Sequence, residues 1–176
     1  AQARGAIWHQ QDFLTTCAIQ LLYLIEYAHF DSQTKIGQGI TSDSVYHQTG
    51  ETAQYGNQSY GDPNNATVAM SYRGVENLYG NYWKWVDGIN INNHRAYIAD
   101  YNFESNKFDE HYRQVGFTNA TSSGYVKDIG WTSQDDFMFL AIDATGSDSS
   151  YLHDNYGQAA GSRVAAFGGN RSYGSS

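Results

Sequence analysis

Residue types capable of chemistry are scattered along this 176-residue chain rather than gathered. Six histidines (His9, His29, His47, His94, His111 and His153) show no pair at the spacing that puts two imidazoles on one metal. A satisfied or solvated imidazole is the default for each. Asp135, Asp136, Asp143, Asp148 and Asp154 carry oxygens of the kind calcium takes, but nothing matches a twelve-residue calcium loop. A structural calcium is thus a possible cofactor and no other is implied. The lone thiol, Cys17, excludes an internal disulfide, and its place beside Leu14 and Leu21 predicts a buried, inert sulfur. Neither a Gly-x-Ser-x-Gly elbow nor a Walker loop is present.

The C-terminal stretch is of another kind. Tyr151, His153, Asp154, Asn155, Tyr156, Ser162, Arg171, Ser172 and Tyr173 surround a thin apolar scaffold of Leu152, Val164, Ala165 and Phe167. Tyrosine offers large contact area at low entropic cost, while Asn and Ser adapt their hydrogen bonds, so these nine residues are the candidate ligand-binding set. Arg171 is the candidate hot spot. Val164 and Phe167 are expected to turn inward, with 151–162 and 170–176 exposed and converging on one face. The other reading is a Gly/Ser/Tyr-rich structural loop.

The elements that position these residues follow from periodicity. Phe13, Leu14, Cys17, Ala18, Leu21, Leu22, Ile25 and Ala28 recur at three- and four-residue spacing, which predicts an amphipathic helix over 11–30 with Asp12 as N-cap. Residues 31–66, rich in glycine and holding the only proline, read as long loops with one short strand near Val45. Strands are expected at 68–72, 82–86, 89–91, 96–99, 114–117 and 137–142. Asn92-Asn93-His94 makes a tight hairpin connection, and Asp87-Gly88 a turn. Trp83 and Trp85, two apart, share a strand face and, with Trp131, are expected in the core. The sum is one α+β domain over 1–176.

Composition narrows the partners. A net charge of −8 and a pI near 5.0 disfavour nucleic acid and anionic lipid. No apolar run approaches bilayer thickness, so membrane insertion is not expected. Residues 1–6 lack the apolar core of a signal peptide, which suggests a mature or excised start.

The run Tyr72-Arg73-Gly74-Val75-Glu76-Asn77-Leu78-Tyr79-Gly80-Asn81-Tyr82-Trp83-Lys84-Trp85-Val86-Asp87-Gly88, followed later by Arg163-Val164-Ala165-Ala166-Phe167-Gly168-Gly169, resembles the C-type-lectin-like fold. The likeness is to the branch shared by formylglycine-generating enzymes and the variable proteins of diversity-generating retroelements, and the run 72–88 looks still more like phage tail proteins carrying such a domain. The resemblance covers residues 7–176. Two departures stand out: Arg171 occupies a position where that branch usually has Trp, and the chain stops at Ser176, before the family's closing strands. The enzymatic relatives need a cysteine pair that is missing here, so the resemblance implies a scaffold and no such activity. Calcium-dependent sugar capture by the Glu-Pro-Asn type of motif is unsupported, since Pro63 stands in Asp62-Pro63-Asn64. In the retroelement proteins the C-terminal segment is rewritten at asparagine-type codons, whose products match the mixture seen here. The resemblance therefore implies a receptor-binding protein at a phage tail tip, on the virion and extracellular. Its partners would be a host-surface protein or glycan, other tail subunits, and further copies of itself as a trimer. A structural tail or capsid decoration protein is the alternative.

Overall fold

Helix α1 (Phe13–Tyr27) starts where the Asp12 carboxylate accepts from the Thr15 amide at 2.8 Å and the Thr15 hydroxyl at 2.7 Å. That satisfies one of the amides a helix start leaves unpaired. The helix stops at Ala28, which takes φ +50°, a conformation usually left to glycine. Phe13, Cys17 and Tyr23 are buried, whereas Leu22 is 56% exposed and Ile25 80% exposed. The apolar residues cover more than half the helix circumference, so periodicity could not choose the inner side. The aromatic flank won, and the expected Leu22–Ile25 flank faces out.

The computed structural model describes residues 5, 8–149, 152 and 154–174. The described chain is mixed α/β: one long helix, short strands, and antiparallel pairs. It divides into two compact units, one built from the residues up to Leu22 with Trp85–Ala165, the other from Tyr23–Lys84 with Ala166 onward.

The first unit is organised by a four-stranded sheet in the order β10 (Ser162–Phe167), β3 (Lys84–Asn92), β4 (Arg95–Ile98), β5 (Arg113–Thr118). β3 and β4 form the expected hairpin, with Asn92 opposite Arg95 and both loop residues, Asn93 and His94, at positive φ. Asp87-Gly88 is not a turn; the strand runs through it. Gly88 takes φ +78° within the strand, and a Cβ there would stand 2.9 Å from the Ala99 carbonyl oxygen. Two small ribbons complete the unit, β6 (Ser123–Tyr125) with β9 (Asn155–Gly157) and β7 (Asp128–Ile129) with β8 (Ala141–Asp143). Its core includes Phe13, Cys17, Val86, Ile89, Ile98, Tyr112, Val115 and Met138. Asp135, 1% exposed, is held by Arg113 Nη2 at 2.6 Å, the Thr132 hydroxyl at 2.8 Å and the Gly116 amide at 3.1 Å.

The second unit is mostly loop. Its regular pieces are α2 (Ser32–Lys35), capped by Asp31 through the Thr34 amide, a single 3-10 turn (Ala53–Tyr55), and the hairpin β1 (Ser71–Tyr72) with β2 (Val75–Glu76). The strand expected at 68–72 shrinks to its last two residues, and Val45 lies in a bend. Ile36, Ile40, Met70 and Tyr72 are buried here, with Tyr23 stacked on Tyr27 at 5.0 Å.

The tryptophans overturn an expectation. Trp83 is 42% exposed, Trp85 55% and Trp131 69%. Trp83 lies just before β3, so strand alternation does not govern it, and within the strand Trp85 is exposed while its neighbour Val86 is buried. Val164 is likewise 46% exposed rather than inward; β10 buries Ala165, and Phe167, of the same parity, is half-buried.

Candidate recognition surface

The Gly-Asn step before Trp83 and the Gly-Gly step after Phe167 meet in the second unit. The Gly80 amide donates to the Gly168 carbonyl at 2.7 Å, and the Arg171 amide to the Asn81 carbonyl at 3.2 Å. Both glycines take positive φ, and a Cβ on Gly80 would come within 2.5 Å of the Ile40 carbonyl oxygen. Only bare backbone fits at that contact.

Asn81, 2% exposed and at φ +59°, extends the arrangement to the segment 43–52. Its side chain accepts from the His47 amide at 3.0 Å and donates to the His47 carbonyl at 2.9 Å. At the near end of the segment, Arg171 Nη1 donates to the Asp43 carbonyl at 2.5 Å, and the Asp43 amide donates to the Arg171 carbonyl at 2.9 Å. At the far end, the Glu76 carboxylate accepts from the Gly50 amide (2.8 Å), the Thr52 amide (2.7 Å) and the Thr52 hydroxyl (2.6 Å). Burial alone would raise the Glu76 pKa, but those donors outweigh it and hold the carboxyl below its ordinary value.

This scaffolding presents aromatic rings to solvent. Tyr46 stacks on Tyr82 with centroids 4.3 Å apart, and the Arg171 guanidinium lies 4.6 Å from the Tyr46 ring centre. Trp83, next in sequence, meets Tyr173 edge-on at 5.4 Å. Tyr46, Tyr82, Trp83 and Tyr173 are all exposed. Beside Tyr46, the His47 ring sits between two carboxylates: Nδ1 is 3.0 Å from Glu51 Oε1 and Nε2 is 3.0 Å from Asp43 Oδ2. The Glu51 bond, then the Asp43 bond, raise the imidazole pKa against a smaller opposing effect of burial. Asp43 is held low, first by the Val45 amide and then by His47. Close by, burial lowers the Lys84 ammonium to about 8, and its Nζ donates to the Gly80 carbonyl at 2.6 Å.

The candidate residues from the sequence fall into separate groups. Arg171, Ser172 and Tyr173 belong to this surface, Arg171 as a half-buried clamp and the other two exposed. Asp154, Asn155, Tyr156 and Ser162 lie in the first unit. Asn155 and Ser162 are exposed there; Tyr156 is half-buried, its hydroxyl donating to Gln158 Oε1. Tyr151 and His153 lie outside the described residues, as do Ser175 and Ser176. Tyr46, His47 and Tyr82 were not anticipated. The available signal was the tyrosine enrichment and the four-residue spacing of Asp43, His47 and Glu51, which outside a helix carries no expectation of contact.

Among the described residues no three His, Cys, Asp or Glu side chains are grouped to hold a metal ion. Of the acidic residues considered for calcium, Asp135 is taken by Arg113, and Asp143 by the Thr145 amide and hydroxyl. Cys17 is 1% exposed and its thiol is pushed up to about 11, chiefly by burial. No described helix is long and apolar enough to cross a membrane. Comparison with protein-family models, curated proteins and solved structures finds no match to this chain.

Proposed function

We propose that this chain is a non-enzymatic recognition protein, the receptor-binding part of a phage tail fibre or tail tip built on a C-type-lectin-like scaffold. The observation that carries this reading is the exposed ring set Tyr46, Tyr82, Trp83 and Tyr173, fixed by buried contacts between the two segments that resemble that family. Rigid aromatics on a polar frame bind with little ordering cost. The ligand would be a host-surface protein or glycan, and several copies per particle would multiply weak single contacts. Exposed positions such as Asn155, Ser162, Ser172 and Tyr173 tolerate substitution cheaply, which suits a diversified surface.

A structural role in the virion is the second reading. It is favoured by Leu22 and Ile25, exposed apolar residues one helical turn apart on α1 that neighbouring subunits would cover. The deciding experiment is capture of host envelope by a multivalent display of the chain. Capture that is lost in a folded Tyr46→Ala/Tyr82→Ala/Tyr173→Ala variant supports recognition. Equal capture by that variant, or none by the parent, removes the proposal.

A further inference from the structure

Both ring nitrogens of His47 face carboxylate oxygens, and a carboxylate only accepts hydrogen bonds. A neutral imidazole has one N–H, so it can satisfy Asp43 or Glu51 but not both; the other would meet a lone pair at the same short distance. The observed geometry therefore belongs to the imidazolium. We infer that His47 is the positioning residue of the recognition surface: as an imidazolium it ties Asp43 to Glu51, and so keeps Tyr46 on Tyr82 and against Arg171. The surface is then fully formed while His47 is protonated and both carboxylates are ionised, and it loosens as His47 loses its proton. The function of this control rests on the recognition reading; the control itself does not.

The charged and titratable groups around His47 support a local effect. On its own segment these are Asp43, Tyr46 and Glu51; the same surface carries Glu76 on β2, the Tyr82 ring, Arg171 of the C-terminal turn, and Lys84, whose ammonium is bound to the Gly80 carbonyl. Glu76 is held below its ordinary value by its donors, so it stays ionised as His47 titrates. Asn81 grips the backbone of residue 47 without regard to charge. Deprotonation thus removes one tie among four: Arg171, Asn81 and Glu76 still hold residues 43, 47, 50 and 52, and the stretches between them, 44–46 and 48–49, are loosened. The sign is consistent: a histidine whose folded pKa is raised contributes stability in full below its unfolded pKa, and loses it as pH rises through the folded pKa.

The test needs no ligand. Nitrogen-detected NMR would follow the His47 ring through its titration, with amide hydrogen exchange across residues 43–52 at each pH, corrected for intrinsic base catalysis. His47 should titrate above the ordinary imidazole value, and corrected exchange at residues 44–46 and 48–49 should rise roughly tenfold through that same pKa. In His47→Gln the corrected exchange should be fast and independent of pH. Glu51→Gln should move both the titration and the exchange midpoint down together, a coupling that a merely structural histidine would not produce. Titration at or below the ordinary value, or exchange that stays flat through the His47 titration in the parent protein, overturns the inference. Loss of host capture with the coupling intact would instead remove only the recognition reading.

Discussion

The Gly80 amide and the Gly168 carbonyl, far apart in the chain, lie 2.7 Å apart as a hydrogen-bonded pair. Around that bond, the Tyr79–Asn81 turn, the loop through Ile40 and the C-terminal turn are close enough that no Cβ fits. Gly80→Ala must therefore displace the Ile40 carbonyl as well as accept φ +73°. A loss of about 2–4 kcal/mol in chemical denaturation is expected. Gly169, at φ +63° with nothing within 4 Å of a built Cβ, is the control, and Gly169→Ala should cost only about 1 kcal/mol. Equal costs at the two sites would mean that conformation alone matters.

Arg171 and Tyr173 are expected to behave as opposites, although the sequence places both among the ligand contacts. Tyr173→Ala removes an exposed ring and should change stability by less than about 1 kcal/mol. Arg171→Ala removes the donor to the Asp43 carbonyl and should cost about 1–3 kcal/mol. Thermal melts of the two variants side by side check this, and a destabilised Tyr173 variant would contradict the assignment.

Asp135 is the charge that the first unit depends on. Burial would raise its pKa, but Arg113, the Gly116 amide and the Thr132 hydroxyl together hold it below the usual carboxylate range. A carboxyl with a depressed folded pKa contributes stability above its unfolded pKa, and that contribution is lost as pH falls through the folded value. Asp135→Asn should cost about 3 kcal/mol at neutral pH and flatten the acid limb of the stability curve. An acid limb unchanged in the variant would assign it to other carboxylates.

The Cys17 thiol should resist native-state labelling and react readily once the protein is denatured. Its burial both blocks access and, by raising the pKa to about 11, leaves little thiolate at neutral pH. Fast labelling of the folded protein, followed by mass spectrometry, would show the helix start to be open in solution.

Local signals were legible wherever neighbouring residues alone decide. Asp12 caps α1 because Thr15 lies three residues on, and Asn93-His94 turns a hairpin because both residues accept positive φ. The Gly-Asn and Gly-Gly steps were recognisable as places where side chains are excluded, though not that they touch. Trp85 shows the limit: a period of two separates the residues of a strand into two faces, but it does not say which face is inner, and here Val86 is the buried one. The 43–52 segment was unreadable for a related reason. Its shape comes from Asn81, Glu76 and Arg171, all distant in sequence.

Most of the bonds that shape this segment address main-chain atoms: Asn81 reads both polar groups of residue 47, Glu76 the amides of residues 50 and 52, and Arg171 both polar groups of residue 43. Such a mould is indifferent to most of the letters written between residues 44 and 50. Replacing Ser44, Val45, Gln48 or Thr49 alters what the segment displays while its path stays set. The segment is thus a second display window, open to grafting or drift, held from outside by Asn81, Glu76 and Arg171 and from within by His47, all of which must stay constant.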